Sequence, residues 1–247
     1  MKLLGKVAIV TGGSGNLGRA IVEELAKEGA DVIFTYFTNK NAAKLLELQC
    51  KPYGRKVIGI KCDVRKYDDV KNVVDFTVKE FGKVNILVNN AGIGIPIPIE
   101  DISEEIIDEI IGIDLKGPII FSKFVTRYMK NQRYGKIINI ASVGGFFGIK
   151  NFSVHGAAKG GLIGFTKNLA VELAEFNINV NSISPGTIRD IKQLSKNEID
   201  EIINRTPIKR VGSPLDVAKL VVFLCSDESS YITGEDIIVD GGKNVEW

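Results

Sequence analysis

Short runs of β-branched and other apolar residues alternate along this chain with longer segments whose apolar positions recur at helical spacing. The runs fall at residues 7–10, 31–36, 56–61, 85–88, 136–140, 177–184 and 236–239. Strands that read as near-continuous apolar runs are covered on both faces, and the alternating helices supply the cover. The pattern therefore predicts an α/β fold: a doubly wound, seven-stranded parallel sheet with helices on both faces.

Between the first two runs, Leu17, Ala20, Ile21 and Leu25 fall at helical spacing, and Gly29 is placed to end that helix. The chain thus opens as a strand-helix-strand unit. Ser103 followed by Glu104 and Glu105 predicts the start of a long helix reaching to about Met129, which Gly112, Gly117 and Pro118 should weaken or kink. Residues 94–98, Gly-Ile-Pro-Ile-Pro, read as a stiff extended loop after the fourth strand.

Length permits one domain or two, but no Pro/Gly/Ser-rich linker or charge block divides the 247 residues, so a single domain over residues 1–247 is expected. The charge of +2 comes from 32 basic and 30 acidic residues, interspersed along the chain. Such a balance leaves no electrostatic footprint for nucleic acid or an anionic membrane, and a small-molecule partner fits better. Cys50, Cys62 and Cys225 are odd in number and widely spaced, suggesting neither a disulfide framework nor a metal site. No run approaches the roughly 18 apolar residues of a membrane span, and no signal-peptide pattern opens the chain. A soluble cytoplasmic protein is the expectation.

Candidate chemistry begins directly after the first run, where residues 11–18 read T-G-G-S-G-N-L-G. Gly13, Gly15 and Gly18 satisfy G-x-G-x-x-G at a strand-to-helix turn, where backbone N–H groups free of Cβ atoms can hold a pyrophosphate. A bare tight turn would use the same glycines, but the flanking elements are those of a Rossmann-fold dinucleotide site. The second run ends F-T-Y-F-T-N-K, residues 34–40, with no Asp or Glu to hydrogen-bond a ribose 2′-hydroxyl. That absence favours NADP over NAD, with Thr38, Asn39 and Lys40 as candidate phosphate contacts, although this segment has no Arg either.

Together with that loop, C-D-V (62–64), N-N-A-G (89–92), I-A-S-V-G-G (140–145), A-A-K (157–159) and S-P-G (184–186) resemble the short-chain dehydrogenase/reductase family over nearly the whole chain. The C-terminal part, with P-I-K-R-V-G-S-P-L-D-V-A (207–218) and V-D-G-G (239–242), is most similar to 3-oxoacyl-acyl-carrier-protein reductases and related sugar or alcohol dehydrogenases. The resemblance implies that Gly12, Ser14, Gly15, Asn16, Leu17 and Gly18 hold the cofactor's phosphates, with Tyr36, Phe37 and Thr38 beside the adenosine ribose. It further implies that Asp63 and Val64 flank the adenine and that Asn90, Ala91 and Gly92 line the cleft. Pro185, Gly186 and Ile188 would approach the nicotinamide. It also implies a homo-oligomer, a tetramer, and places residues 192–205 where relatives carry a substrate-covering helix.

The family transfers hydride with a Ser that holds the substrate oxygen, a Tyr that exchanges its proton, a Lys that tunes the Tyr and binds ribose, and usually an Asn in a proton relay. Ser142 and Lys159 match. The Tyr position is His155, the sole histidine of the chain, and the Asn position is Asp114. The Y-x-x-x-K spacings at Tyr36 and Tyr67 lie at a strand end and a helix start, away from this constellation. Imidazole is a competent acid–base group near neutrality, but a Lys159 cation beside it would favour the neutral ring, a poor donor and a passable base. Asp190, where the family usually has a Thr, offers only acceptors when ionised.

Two readings follow. In the first, the chain is an NAD(P)-dependent oxidoreductase interconverting a carbonyl and a secondary alcohol, its substrate a 3-oxoacyl thioester, carrier-protein-linked, or a polyol. In this reading Ser142, His155, Lys159 and Asp114 form the catalytic set. In the second, it is a dinucleotide-binding homologue that has lost hydride transfer and serves as scaffold, partner subunit or sensor, with His155 simply a hydrogen-bonded cleft residue.

Overall fold

The computed structural model of the chain describes residues 1–245; Glu246 and Trp247, the end of the domain expected from sequence, lie outside the described residues. Seven strands form one sheet: β1 (Val7–Val10), β2 (Asp31–Tyr36), β3 (Val57–Lys61), β4 (Ile86–Asn89), β5 (Gly135–Ile140), β6 (Ile178–Pro185) and β7 (Asp236–Val239). Their order is β3-β2-β1-β4-β5-β6-β7, with every neighbouring pair parallel. Each strand lies within a residue or so of the apolar run that predicted it.

The helices are α1 (Asn16–Lys27), α2 (Lys40–Cys50), α3 (Tyr67–Phe81), α4 (Glu104–Ile111), α5 (Gly117–Gln132), α6 (Ser153–Leu173), α7 (Lys196–Asn204) and α8 (Pro214–Cys225). Alternate residues of one strand point to opposite faces, so each run feeds two cores. Ala8, Val10 and Phe34 pack with Ile21, Leu25 and Val221 on the face covered by α1 and α8. Ile9, Ile33 and Leu87 pack with Val73, Phe121 and Leu173 on the face covered by α3, α5 and α6.

The long helix expected from Ser103 is continuous but not uniform. Ser103 Oγ accepts the Ile106 N–H, and the helix runs through α4, a π-helical turn at Gly112–Lys116 and α5. The kink expected around Gly112 and Pro118 therefore takes the form of a π turn. Pro118 has no N–H to give to the Asp114 carbonyl, so the ladder re-registers, with Gly117 N–H bonding to Gly112 O. The helix ends at Gln132, slightly beyond the expected limit.

Candidate active site and dinucleotide cleft

In a doubly wound sheet the ligand crevice opens at the carboxyl ends of the strands where the strand order reverses, here between β1 and β4. Thr11 Oγ1 ties the two strand ends together, accepting the N–H groups of Asn90 and Ala91, both at 2.9 Å. Asn90 Nδ2 donates back to Thr11 O at 2.8 Å and Gly12 O at 3.2 Å. Gly12 takes the left-handed backbone, φ +63°, and a Cβ there would sit 2.9 Å from Ala91 Cα. At Gly18 a Cβ would lie 2.8 Å from both Asn90 Nδ2 and Gly13 Cα, so only Gly lets α1 start this close to the loop.

Asn16 opens α1 without a positive φ, so the position needs no left-handed backbone.

The resulting cleft, about 530 Å³, is lined by Gly12, Ser14, Gly15, Asn16, Leu17, Gly18, Tyr36, Phe37, Thr38, Asp63, Val64, Asn90, Ala91 and Gly92, as expected from sequence. Asn39 also lines it, but its Oδ1 caps α2 by accepting the Ala42 N–H at 2.9 Å, so that acceptor is already engaged. Lys40 is the first residue of α2 and does not line the cleft.

The sequence reading missed Arg65, Thr35, Cys62, Ile93, Glu109 and Ile113, which complete the lining. Arg65 matters most, because the fold supplies from the end of β3 a cation that the end of β2 lacks. Its guanidinium lies 5.8 Å from the Phe37 ring centroid and grips Asp63 through Nε at 2.9 Å and Nη2 at 2.8 Å. The Arg65 hydrogen bonds hold the Asp63 carboxyl below its ordinary range, with burial opposing. The signal that could have found it was its place directly after C-D-V.

Beyond the Gly92 end of the cleft and outside its lining, Ser142 follows β5 in extended conformation and its Oγ accepts the Gly144 N–H at 3.1 Å. His155 lies in the first turn of α6, beside it. A methyl group built on Gly144 would lie 3.4 Å from Ser142 Oγ and 3.8 Å from His155 Cδ2. Phe152 meets the His155 ring edge-on with centroids 5.9 Å apart.

Lys159, one turn further along α6, is buried and donates from Nζ to Ile140 O at 2.9 Å. Burial pushes its ammonium below the ordinary lysine range, with Asp114 opposing. The π turn aims Asp114 inward, where it is fully buried. Asp114 Oδ1 accepts the Ile93 N–H at 2.8 Å, while Oδ2 stands 2.8 Å from His155 Nδ1 and 3.8 Å from Lys159 Nζ. His155 Nδ1 also lies 2.9 Å from Ile93 O. The charge nearest His155 is thus the Asp114 carboxylate, which also faces the Lys159 ammonium.

Four sequence candidates therefore converge: Ser142, His155, Lys159 and Asp114. Gly92 joins the cleft to these residues, since a Cβ on it would lie 3.1 Å from Asp114 Oδ1 and 3.2 Å from Lys159 Nζ. Pro185, Gly186 and Ile188 stand apart from the main lining. Pro185 ends β6, Gly186 packs against Asp240, and Ile188 lines a neighbouring cavity of about 340 Å³ with Thr206 and Ile208. Asp190 Oδ1 is occupied locally, accepting the Lys192 N–H at 3.1 Å. Tyr67, one of the two stray Y-x-x-x-K tyrosines, packs edge-on against Phe124 with centroids 4.6 Å apart. Among the described residues no helix is long and apolar enough to cross a membrane.

Known proteins are similar to this chain over nearly its full length. The family model described as Enoyl-(Acyl carrier protein) reductase matches residues 13–244. The 3-oxoacyl-[acyl-carrier-protein] reductase FabG of Thermotoga maritima is 38% identical over 244 residues, 98% of this chain and 99% of that protein. Its counterpart in Escherichia coli K12 is 40% identical over 244 residues, 98% of each. The structure of an NAD+-bound xylitol dehydrogenase superposes with a TM-score of 0.91 at 32% identity, covering 98% of this chain and 100% of that one. The chain belongs to the short-chain dehydrogenase/reductase family of NAD(P)-dependent oxidoreductases.

Proposed function

We propose that this chain, acting as one dinucleotide-binding domain, interconverts a carbonyl and a secondary alcohol with His155 as its acid–base residue. The observation that carries this reading is the convergence of Ser142, His155 and Lys159 just beyond the cleft lining, with Lys159 Nζ against Gly92 and His155 Nδ1 anchored by Ile93 O at 2.9 Å, both Gly92 and Ile93 being lining residues. The cleft fits a dinucleotide, because the glycines at positions 12 and 18 let the loop pack directly against Ala91 and Asn90, and the first residues of α1, whose N–H groups suit a phosphate, line the cleft. The nicotinamide ring supplies or takes up the hydride.

In the reducing direction, Ser142 Oγ holds the substrate oxygen and His155 Nε2–H gives it a proton as the carbonyl carbon gains hydride. The C=O π pair moves onto oxygen, and the imidazolium becomes imidazole. Oxidation runs these steps backward, with neutral Nε2 taking the hydroxyl proton. Lys159 contributes a buried cation to the ribose side of the site.

NADP is the favoured cofactor over NAD. The residues lining the cleft at the end of β2, Tyr36, Phe37, Thr38 and Asn39, carry no carboxylate to repel a 2′-phosphate, and Arg65 stands beside Phe37. The names of the relatives in Thermotoga maritima and Escherichia coli point to a 3-oxoacyl thioester on a carrier protein as substrate. By the same family resemblance the working assembly is a cytoplasmic homotetramer.

The test is the loss of NADPH absorbance on adding a 3-oxoacyl thioester, and its gain from NADP+ with the matching 3-hydroxyacyl compound. Turnover in both directions supports the reading. Tight NAD(P) binding without turnover on any member of a carbonyl panel overturns it in favour of a scaffold or sensor.

A further inference from the structure

The two positions that depart most from the family's pattern are in contact. Asp114, where relatives usually have Asn, and His155, where they have Tyr, meet at 2.8 Å between Oδ2 and Nδ1. Ile93 joins them through its peptide groups, its N–H bound by Asp114 Oδ1 and its carbonyl facing His155 Nδ1. Asp114 is fully buried, and Oδ2 receives no well-directed hydrogen bond from a described residue. A buried, underbonded carboxylate oxygen is costly unless a cation offsets it.

Both neighbours of Nδ1 are pure acceptors when Asp114 is ionised, so the proton belongs on Nδ1. With the ring turned over, a carbon would face two oxygens and the acceptors would lose their donor. Nε2 is then the nitrogen left for chemistry, on the ring edge that includes Cδ2 and adjoins Gly144 and Ser142.

Charge makes a second argument. Protonating His155 beside the Lys159 ammonium would place two cations in a buried site. Asp114 Oδ2 faces both, at 2.8 Å from Nδ1 and 3.8 Å from Nζ. The loops packed against the ring, residues 93–98 and 141–152, contain one charged side chain, Lys150, and it is exposed to solvent. Asp114 and Lys159 are therefore the charged groups that face His155 among these elements.

We propose that Asp114 is a positioning residue that acts through His155. It holds Nδ1 in the protonated state, commits Nε2 to proton exchange with the substrate oxygen, and balances Lys159 so that the ring can take a second proton. An Asn at 114 could still accept the Ile93 N–H but could not balance the charge, so the two departures work as a pair. The inference builds on the reading of His155 as the acid–base residue, but its test does not depend on turnover.

Because His155 is the sole histidine, the full chain labelled with 13C,15N-histidine gives one imidazole signal, followed by NMR across pH with and without NADP+. The expected neutral form carries its proton on Nδ1. In Asp114→Asn the preference for the Nδ1–H tautomer should weaken, so that the Nε2–H form gains population, and NADPH-dependent reduction should fall with it. A neutral ring protonated on Nε2 in the unaltered chain overturns the proposal, even if the variant fails to fold. So does a tautomer balance that is unchanged in Asp114→Asn. An unaltered chain that fails to turn over, yet gives the predicted tautomer and its weakening in the variant, counts against the proposed function alone.

Discussion

His155 Nδ1 lies 2.8 Å from Asp114 Oδ2, although one residue starts α6 and the other sits in the π turn between α4 and α5. Ile93, in the loop after β4, bridges the pair with its N–H and C=O. Three chain segments thus fix the orientation of one imidazole ring beside Ser142. In the proposed mechanism this arrangement would supply two properties that catalysis at a carbonyl needs: a defined tautomer and a nearby counter-charge.

Cofactor binding should depend sharply on Gly18. A Cβ there would lie 2.8 Å from Asn90 Nδ2 and from Gly13 Cα, forcing α1 away from the loop. Gly18→Ala is expected to weaken NADP(H) binding at least tenfold in calorimetry, the equivalent of about 1.4 kcal/mol. An unchanged affinity would mean that the loop relaxes freely and does not shape the site.

Arg65 should discriminate between cofactors. It is the cation beside Phe37 at the adenosine end, and it is held there by paired bonds to Asp63 at 2.9 and 2.8 Å. Arg65→Ala is expected to weaken NADPH roughly tenfold while changing NADH far less, since a charge-assisted bond to phosphate contributes about 1.5–3 kcal/mol. Equal losses for the two cofactors would show that Arg65 only orders Asp63.

Asp236, on the edge strand β7, offers a stability test away from the site. Its Oδ1 accepts hydroxyls from Ser182 at 2.5 Å and Ser184 at 3.0 Å, while Oδ2 is buried without a partner. Burial raises its carboxyl above the ordinary range, with the two serines opposing. A carboxyl whose folded value is raised favours folding while protonated, and that contribution disappears as pH rises through the folded value. Asp236→Asn keeps an acceptor for both serines and removes the buried charge. Its melting temperature should exceed that of the unaltered chain by ~2–4 °C at pH 7. The gap should close below the unfolded carboxylate value near 4. A lower melting temperature at pH 7 would show that the ionised carboxylate is stabilising.

Much of this was legible in the sequence because the sheet is parallel and covered on both faces. Such strands read as apolar runs, and their ends fell within a residue or so of the observed ones. The glycines of the phosphate loop were equally legible, since their absent Cβ atoms let the loop pack directly against Phe34, Asn90 and Ala91. What the periodicity could not carry was where side chains point across distant segments. Asp114 and His155 were each visible as departures, but their contact depends on the π turn that rotates Asp114 inward. Gly112 and Pro118 hinted at that turn without giving its form. Arg65 escaped notice because it reaches back from the end of β3 toward β2. Asn39 was read as a phosphate contact although its position just before a helix also suited a cap.

The central claim is that His155 exchanges the proton in carbonyl reduction, and steady-state reduction of a 3-oxoacyl thioester by NADPH tests it most directly. The unaltered chain, His155→Phe and His155→Tyr should be compared at equal cofactor saturation. The account predicts turnover by the unaltered chain and a loss of about 100-fold or more in His155→Phe, the usual contribution of a general acid. An unaltered chain that is inactive while His155→Tyr gains activity, or a His155→Phe variant as active as the unaltered chain, would contradict it.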